Sequence, residues 1–289
     1  MSDLHEPVLR WYDEHARDLP WRAPGATPWG ILVSEFMLQQ TPVARVLPVW
    51  TAWLAAWPTP AALAAEPAGE AVRAWGRLGY PRRALRLHGA AQAIVERHDG
   101  QVPASYDALR ALPGVGDYTA AAVSSFAYRQ RHVVLDTNVR RVLARSVSGV
   151  AFPATAVTRA ERDLATGLLP DEPAVAASWA VAVMELGALV CTAANPRCDA
   201  CPIAGRCAWL AAGRPAHDGP ARTAQTYDGT DRQCRGRLLA VLRATDASVD
   251  RAALDAAWPE ADQRERALAS LVADGLVVPV GEGRFALPD

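Results

Sequence analysis

Four of the five cysteines in this 289-residue chain fall within 17 residues, with the spacing Cys191-x6-Cys198-x2-Cys201-x5-Cys207. In a reducing compartment such clustering indicates metal binding rather than disulfides. Zinc and iron–sulfur clusters both take four thiolates, and zinc ribbons usually use two CxxC pairs with a longer spacer. The tight, uneven spacing favours a [4Fe–4S] cluster, with zinc as the alternative. The fifth cysteine, Cys234, receives no role.

Arginine supplies all 30 basic residues, and the chain contains no lysine. This excludes any mechanism that uses a lysine Schiff base or a lysine general base. The net charge of −1 argues mildly against nucleic acid as a partner. Two stretches are nevertheless locally basic, and they either bind phosphate or form solvated helix faces. Their arginines are Arg73, Arg77, Arg82, Arg83 and Arg86, and then Arg129, Arg131, Arg140, Arg141 and Arg145.

The residue pattern predicts an all-α chain in which Thr-Pro pairs and glycines mark helix ends. The predicted helices cover residues 28–40, 41–57, a short segment after 59, 68–77, 82–98, 105–112, 117–128, 137–146, 155–168 and 172–190. Residues 213–231 are rich in turn formers and predict a linker. The remainder predicts helices over 235–244, 250–258 and 261–274 and a two-stranded hairpin over 276–287, which together indicate a small winged-helix-like module.

Neither a membrane span nor a signal peptide is predicted. The longest apolar stretch, Ala176–Val190, is interrupted by Glu185 and is shorter than the roughly 18 residues that a span needs. The N-terminus shows no basic segment followed by an apolar one. We therefore expect a cytoplasmic protein without a membrane partner.

The segment 112–119 (Leu-Pro-Gly-Val-Gly-Asp-Tyr-Thr) lies between two predicted helices. Gly114 and Gly116 allow a tight turn with exposed backbone N–H groups at the start of the next helix, which favours an anion. Such a site suits a DNA phosphate and reads no base sequence. The alternative is an ordinary connection between helices.

Two carboxylates have settings that suit acid–base chemistry. Glu35 has Ile31, Leu32 and Leu38 as helical neighbours, and an apolar setting raises a carboxyl pKa towards that of a general acid. Asp136 follows an apolar run and opens a helix, where it caps the helix and stays ionised. One acid and one carboxylate are the components of glycoside hydrolysis, and the same logic applies to an N-glycosidic bond. The alternatives are an exposed helix-face Glu35 and an Asp136 that is only a cap.

The cysteine spacing and the segment 112–119 resemble the [4Fe–4S] loop and the helix-hairpin-helix element of the endonuclease III superfamily of DNA glycosylases. Within it, Ser34-Glu-Phe-Met-Leu-Gln-Gln-Thr41 closely resembles the catalytic segment of the MutY adenine DNA glycosylases. The match extends over about residues 5–212 through Leu19-Pro-Trp-Arg22, Gly76-Arg-Leu-Gly-Tyr80 and Asp136-Thr-Asn138.

This resemblance implies a two-lobed helix-hairpin-helix DNA glycosylase fold over residues 1–212. A six-helix barrel lobe covers about 28–134, and an iron–sulfur lobe combines about 1–27 with 135–212. The linker 213–231 and the winged-helix-like C-terminal module 232–289 follow. Many MutY proteins end instead in a larger NUDIX-like domain. The arginines of the module that either contact DNA or form a solvated face are Arg235, Arg237 and Arg243.

The resemblance also implies roles for individual residues. Glu35 would protonate adenine at N7 and position the water, while Asp136 would stabilise the oxocarbenium-like sugar with the help of Tyr118 and Asn138. The other implied groups are an adenine pocket (Arg22, Leu38), a wedge that enters the base stack (Gln40, Tyr80), contacts near the opposite base (Thr41, Leu78), DNA phosphate contacts (Gly114, Gly116) and [4Fe–4S] ligands (Cys191, Cys198, Cys201, Cys207).

Bifunctional members of the superfamily carry a lysine where Tyr118 stands, and that lysine drives strand cleavage. The resemblance therefore implies a monofunctional adenine glycosylase, acting as a monomer on double-stranded DNA with adenine opposite 8-oxoguanine or guanine. Two alternatives remain. One is a thymine or uracil mismatch glycosylase of the same superfamily, and the other is a noncatalytic iron–sulfur DNA-binding protein.

Overall fold

The computed structural model describes residues 3–217, 219 and 227–289, and the chain divides into two compact units. The first unit comprises Met1–Ile31, Ala104–Arg110 and Gly116–Ala221, and the second comprises Leu32–Pro103, Ala111–Val115 and Arg222–Asp289. The predicted linker 213–231 lies partly outside the described residues, at 218 and 220–226. Within the described part of the chain, no helix has the length and apolarity needed to cross a bilayer.

Fifteen α-helices lie in the described residues. They are α1 (His5–His15), α2 (Pro28–Leu38), α3 (Val43–Ala56), α4 (Pro60–Ala64), α5 (Ala68–Trp75), α6 (Arg82–Arg97), α7 (Tyr106–Arg110), α8 (Asp117–Tyr128), α9 (Thr137–Ser146), α10 (Arg159–Gly167), α11 (Pro173–Leu189), α12 (Ala208–Ala211), α13 (Asp231–Arg243), α14 (Arg251–Ala257) and α15 (Ala261–Ala273). Short 3-10 turns cover Pro20–Arg22, Cys198–Ala200 and Ala204–Arg206. The strands are β1 (Val249–Asp250), β2 (Val278–Pro279) and β3 (Arg284–Ala286).

The mostly helical prediction is confirmed, and its helix-start signals are correct in two cases and wrong in one. Thr27 Oγ1 accepts a hydrogen bond from Gly30 N at 3.0 Å, and Thr59 Oγ1 accepts one from Ala62 N at 3.2 Å, as expected of capping residues. Thr41 does not cap α3, whose N-terminal flanking residue is Pro42, and its hydroxyl donates to Leu78 O at 3.3 Å. Helix α1 is absent from the predicted set.

The main core of the first unit lies between α1, α9 and α11. Trp11, Leu143, Val183 and Leu186 belong to one buried apolar cluster there. Packing of this face against its neighbours supplies most of the stability of such helices. It also fixes the N-terminal end of α9, where Asp136 lies.

The second unit contains a buried tryptophan cluster. The ring of Trp53 meets Trp57 and Trp75 edge to face, with centroid distances of 4.7 and 5.9 Å. Gly114 belongs to this unit and has a φ of +77°. A Cβ at Gly114 would lie 2.6 Å from Arg86 Cβ and 3.0 Å from Phe36 Cε1, so both the backbone conformation and the space require glycine.

The C-terminal residues 231–289, called the C-terminal module below, combine α13–α15 with a three-stranded antiparallel sheet of order β1-β3-β2. Val249 pairs with Phe285, which in turn pairs with Pro279. The predicted two-stranded hairpin is therefore incomplete, because it lacks β1. Three helices and three strands agree with the predicted winged-helix-like pattern. Cys234 is fully buried in the module, which identifies it as a core residue.

Candidate active site

Glu35 lies on α2, and only 5% of its surface is exposed. Leu32, Val33 and Phe36, its neighbours along the helix, are also buried. The structure therefore confirms the burial that the apolar neighbours of Glu35 predict, and it excludes the exposed helix-face alternative. Burial separates the carboxyl from bulk water, which suits a group that exchanges a proton with a bound base.

The turn after α2 contacts the loop between α5 and α6, and both belong to the second unit. Tyr80 Oη donates to Gln40 Oε1 at 3.0 Å, and Thr41 Oγ1 donates to Leu78 O at 3.3 Å. Tyr80 is 49% exposed, whereas Leu78 and Thr41 are buried. The four residues predicted for the wedge and the opposite base are thus brought together. Leu38, predicted for the adenine pocket, is half-buried at the end of α2.

Residues 76–81, called the wedge loop below, and the turn that it contacts contain strained backbone. Gln40 has a φ of +57° and Tyr80 a φ of +46°, a left-handed conformation that costs a non-glycine residue about 1 kcal/mol. The guanidinium of Arg83 lies 4.5 Å from the Tyr80 ring centroid and also donates to Gln39 O. Trp75 Nε1 donates to Gly79 O at 2.9 Å. These contacts hold the two exposed side chains in place.

In the first unit, Asp136 begins a chain of hydrogen bonds. Its Oδ1 accepts from Val139 N at 2.7 Å, which confirms the predicted helix cap, and its Oδ2 accepts from Asn138 Nδ2 at 2.8 Å. Asn138 Oδ1 accepts from Arg141 Nη2 at 2.8 Å, and Arg141 Nε donates to Cys191 O at 2.7 Å. A Cβ at Gly187 would lie 2.7 Å from Asn138 Cβ. Asn138 is therefore fixed from both sides.

Burial raises the pKa of Asp136, although the hydrogen bonds from Val139 and Asn138 and the charge of Arg141 lower it. The sequence-based expectation of a permanently ionised Asp136 considered only the cap. In the structure, removal of the carboxylate from water outweighs the cap. The ionisation of Asp136 therefore depends on its partners, among which Asn138 is the nearest side chain.

Glu185, which sequence reasoning treated only as an interruption of an apolar stretch, is fully buried on α11. Its Oε1 accepts from Arg17 Nε and its Oε2 from Arg17 Nη2, both at 2.7 Å, and Arg22 Nη1 lies 2.9 Å from Oε2. Burial raises the pKa of Glu185, but Arg17 and Arg22 together lower it to about 2. The structure thus places Arg22 on a buried carboxylate. The signal that singled out Glu35, a glutamate among apolar helix neighbours, would also have found Glu185.

Tyr118 and Gly116 lie at the start of α8. Gly116 is the N-terminal flanking residue of the helix, and a Cβ there would meet no atom within 4 Å. Tyr118 is half-buried and packs against the small cluster that includes Ala122 and Ala180. Tyr118, Asp136, Asn138 and Arg22 belong to the first unit, whereas Glu35 and the wedge residues belong to the second.

The four clustered cysteines form no disulfide, and three of them interact electrostatically with the fourth, Cys201. Burial, together with the charges of the other three, raises the pKa of Cys201 to about 11. Arg145 Nη1 lies 3.5 Å from Cys191 Sγ, and Cys207 Sγ lies 3.5 Å from Arg145 O. In residues 3–217, 219 and 227–289, no group of three or more His, Cys, Asp or Glu is arranged as a metal-ion site. The thiol donor set fits an iron–sulfur cluster, which takes one sulfur on each of four irons.

All five arginines of the second basic stretch are hydrogen-bonded within the protein. They bond as follows: Arg129 to Ala174 O and Ser178 Oγ, Arg131 to Leu169 O and Pro170 O, Arg140 to Glu161, Arg141 to Cys191 O, and Arg145 to Ala151 O, Thr192 O and Ala193 O. Arg141 and Arg145 are buried and Arg140 is half-buried, so these three do not form a solvated face, whereas Arg129 and Arg131 are exposed. In the first stretch, Arg77 and Arg86 are exposed, and the Cβ of Arg86 lies beside Gly114.

Comparison with known proteins agrees with this geometry. Residues 33–162 match the HhH-GPD superfamily of base excision DNA repair proteins. An adenine DNA glycosylase of Mycobacterium tuberculosis (strain H37Rv) is 56% identical over 283 residues, which cover 97% of this chain and 92% of the relative. A thymine/uracil-DNA glycosylase of Pyrobaculum aerophilum is 35% identical over 208 residues, covering 70% and 89% of the two chains.

Among solved structures, a thermostable thymine-DNA glycosylase superposes with a TM-score of 0.65 at 25% identity. The similarity covers 72% of this chain and 94% of that one. The predicted helix-hairpin-helix glycosylase fold is therefore confirmed.

Proposed function

This chain belongs to the adenine DNA glycosylase family of the HhH-GPD superfamily, and from that premise we propose that it excises adenine mispaired with 8-oxoguanine or guanine. The proposed substrate is double-stranded DNA, and the chain acts on it as a monomer. The observation that carries the proposal is the burial of Glu35 on α2, inside the segment that matches the superfamily.

Two carboxyl groups divide the chemistry of N-glycosidic bond cleavage. The protonated Glu35 gives its proton to N7 of adenine, and the electrons of the N9–C1′ bond leave with the base. Asp136, ionised and fixed by Val139 and Asn138, faces the positive charge that develops on the sugar. Water then adds to C1′ and returns a proton to Glu35. Tyr118 assists Asp136 from the start of α8.

Cleavage requires that the adenine leave the base stack, because the duplex shields its glycosidic bond. Gln40 and Tyr80 are joined by a hydrogen bond and exposed, so they are placed to fill the gap as a wedge. Leu78 and Thr41 contact the opposite base, while Arg22 and Leu38 line the pocket for the extruded adenine. Gly114 and Gly116 hold a DNA phosphate.

Strand cleavage by a lysine Schiff base is not part of the proposal. The chain contains no lysine, so no ε-amino group is present to attack C1′. The expected product is an intact strand with an abasic site.

The residues proposed to hold a [4Fe–4S] cluster are Cys191, Cys198, Cys201 and Cys207. When bound, the cluster supplies a covalent cross-link between the end of α11 and the loop that follows it. Arg141 and Arg145 of α9, the helix that Asp136 caps, bond to this loop. A purified protein that is brown, absorbs near ~400 nm and contains about four irons per chain supports this assignment. A colourless protein with one zinc contradicts it.

Single-turnover excision on a labelled duplex with adenine opposite 8-oxoguanine tests the proposed activity. We expect strand breaks only after hot alkali, and we expect Glu35→Gln to abolish them. Glu96→Gln, which changes an exposed glutamate on α6, is the matched control and should cleave like the unaltered protein. Breaks that form without alkali would contradict the monofunctional mechanism.

The same assay on G·T and G·U duplexes tests the mismatch-glycosylase alternative, which the thymine/uracil-DNA glycosylase relative favours. Excision from these duplexes alone would show that the substrate is a mispaired pyrimidine and not adenine. Binding of every duplex without excision would support the noncatalytic alternative.

A further inference from the structure

The C-terminal module contacts both helices that flank the wedge loop, and all of these elements belong to the second unit. On α5, Gly69 N donates to Pro288 O at 2.6 Å. On α6, Arg82 Nη1 lies 3.2 Å from Asp274 Oδ1. The wedge loop, with Leu78 and Tyr80, is the only chain between these two helices.

The strongest of these contacts is a reciprocal pair of helix caps. Val72 O and Arg243 O are among the last four carbonyls of α5 and α13, which have no partner within their own helices. Arg243 Nε donates to Val72 O at 2.9 Å, and Arg73 Nη1 donates to Arg243 O at 2.8 Å and to Thr245 O at 2.7 Å. Each helix thus receives a guanidinium from the other at its negative end, where a cation is favourable.

The packing between α5 and the C-terminal module leaves little room. A Cβ at Gly69 would lie 2.5 Å from Pro288 O and 2.9 Å from Leu287 Cβ. Burial lowers the pKa of Arg243 to about 10, because the guanidinium has left water to reach Val72 O. A buried charge has to be offset by well-placed partners, and Val72 O is one such partner of Arg243. The capped end of α5 is also the end at which the wedge loop begins, at Gly76 with a φ of +53°.

The charges of the module do not suit a DNA-reading surface. Residues 231–289 contain eight arginines against ten acidic residues, whereas DNA-binding domains are usually basic. Arg235 is paired with Asp274 at 2.5 Å and bonds to Ser270, and Arg243 is occupied on α5. Of the three arginines predicted as DNA contacts, two are therefore engaged inside the second unit, and only Arg237 is exposed.

We infer that the C-terminal module is a positioning element for the wedge loop, which holds the ends of α5 and α6 at the spacing that lets Tyr80 enter the base stack and keeps Leu78 near the opposite base. In this role the module contacts α5 and α6 and does not read DNA. This inference rests on the proposed function, since a wedge is needed only where a base is extruded.

The test replaces Arg73 by methionine, which keeps the apolar stem and removes the cap donors, and compares it with Asp274→Asn at the α6 contact. Arg237→Met on the exposed face of α13 is the matched control. Three properties are measured well below the melting temperature: amide hydrogen exchange of residues 76–80 in the free protein, fluorescence of 2-aminopurine beside the lesion, and the single-turnover rate with enzyme in excess. The melting temperature and the DNA affinity of each variant are measured alongside.

We expect faster exchange in residues 76–80, a weaker 2-aminopurine signal and an excision rate lowered by about tenfold to hundredfold in Arg73→Met, as for other misplacements of about 1 Å. Asp274→Asn should show the same changes to a smaller extent, and Arg237→Met should match the unaltered protein. A lower melting temperature with unchanged exchange and fluorescence would overturn the inference, and so would weaker DNA binding by Arg237→Met. Amide exchange is measured without DNA, so it tests the inference even if the unaltered protein releases no adenine. Failure of the inference and failure of the proposed function are therefore distinguishable.

Discussion

Asn138 Nδ2 donates a hydrogen bond to Asp136 Oδ2 at 2.8 Å, and the same asparagine accepts one from Arg141. The carboxylate proposed to face the sugar cation is thus held by a side chain that is itself fixed. Asn138 therefore contributes both to the orientation and to the ionisation of Asp136.

Removing the Asn138 side chain should move the pH dependence of excision. Burial already raises the pKa of Asp136, and the bond from Asn138 opposes this, so Asn138→Ala should raise the pKa further. Because Asp136 is proposed to act ionised, the acid limb of the single-turnover rate should shift to higher pH. Rates between pH 5 and 9 provide the measurement, with Gln92→Ala on exposed α6 as control. An unmoved acid limb would show that Asn138 does not set this ionisation.

Asp136→Asn should lower excision and raise stability together. A carboxyl whose pKa is raised by folding contributes stability below its unfolded pKa and loses it as pH rises through the folded pKa. At neutral pH the neutral asparagine avoids that loss, so its melting temperature should exceed that of the unaltered protein, and the difference should shrink towards pH 4. The excision rate should fall by at least about hundredfold. A variant less stable at pH 7 than the unaltered protein would contradict this account.

Glu185→Gln should destabilise the first unit. Breaking a buried ion pair on one side costs about 3–5 kcal/mol, because the partner charges stay buried. The pKa of Glu185 is lowered to about 2, so its contribution is complete above the unfolded pKa and is lost as pH falls through the folded value. Urea unfolding at pH 7 and pH 3 measures both effects, and the exposed Glu14→Gln is the control. Equal midpoints for Glu185→Gln and the unaltered protein at pH 7 would refute the role of this ion pair.

The two arginine-rich stretches should respond differently to mutation. Arg86 is exposed beside Gly114, so Arg86→Ala should weaken DNA binding and reduce the slope of log K against log salt by about 1. Arg131 instead donates to Leu169 O and Pro170 O, and Arg131→Ala should lower the melting temperature without changing the slope. DNA-binding titrations at several salt concentrations measure the slopes. Equal slopes for both variants would contradict the assignment of Arg86 to DNA contact and of Arg131 to a structural role.

Local signals in the sequence predicted what depends on local contacts. The cap at Asp136, the burial of Glu35 and most helices follow from nearest neighbours along the chain. The sequence did not predict where Arg141 and Arg145 point, because their acceptors lie about 50 residues away on the cysteine loop. The ion pair of Glu185 was not predicted for the same reason, since its partner Arg17 is 168 residues distant in the sequence. Strand β1 is only two residues long, too short for any alternation to show.

The left-handed backbone at Gln40 and Tyr80 has a kinetic consequence. Since folding, not DNA, places both side chains of the proposed wedge in that conformation, no loop would need to be ordered when they enter the base stack. The protein would then test each base step with a preformed loop. The time spent at each step would depend on how readily the duplex opens rather than on how fast the loop rearranges. Weakly stacked or mispaired steps would be detected first, and undamaged DNA would be passed over quickly.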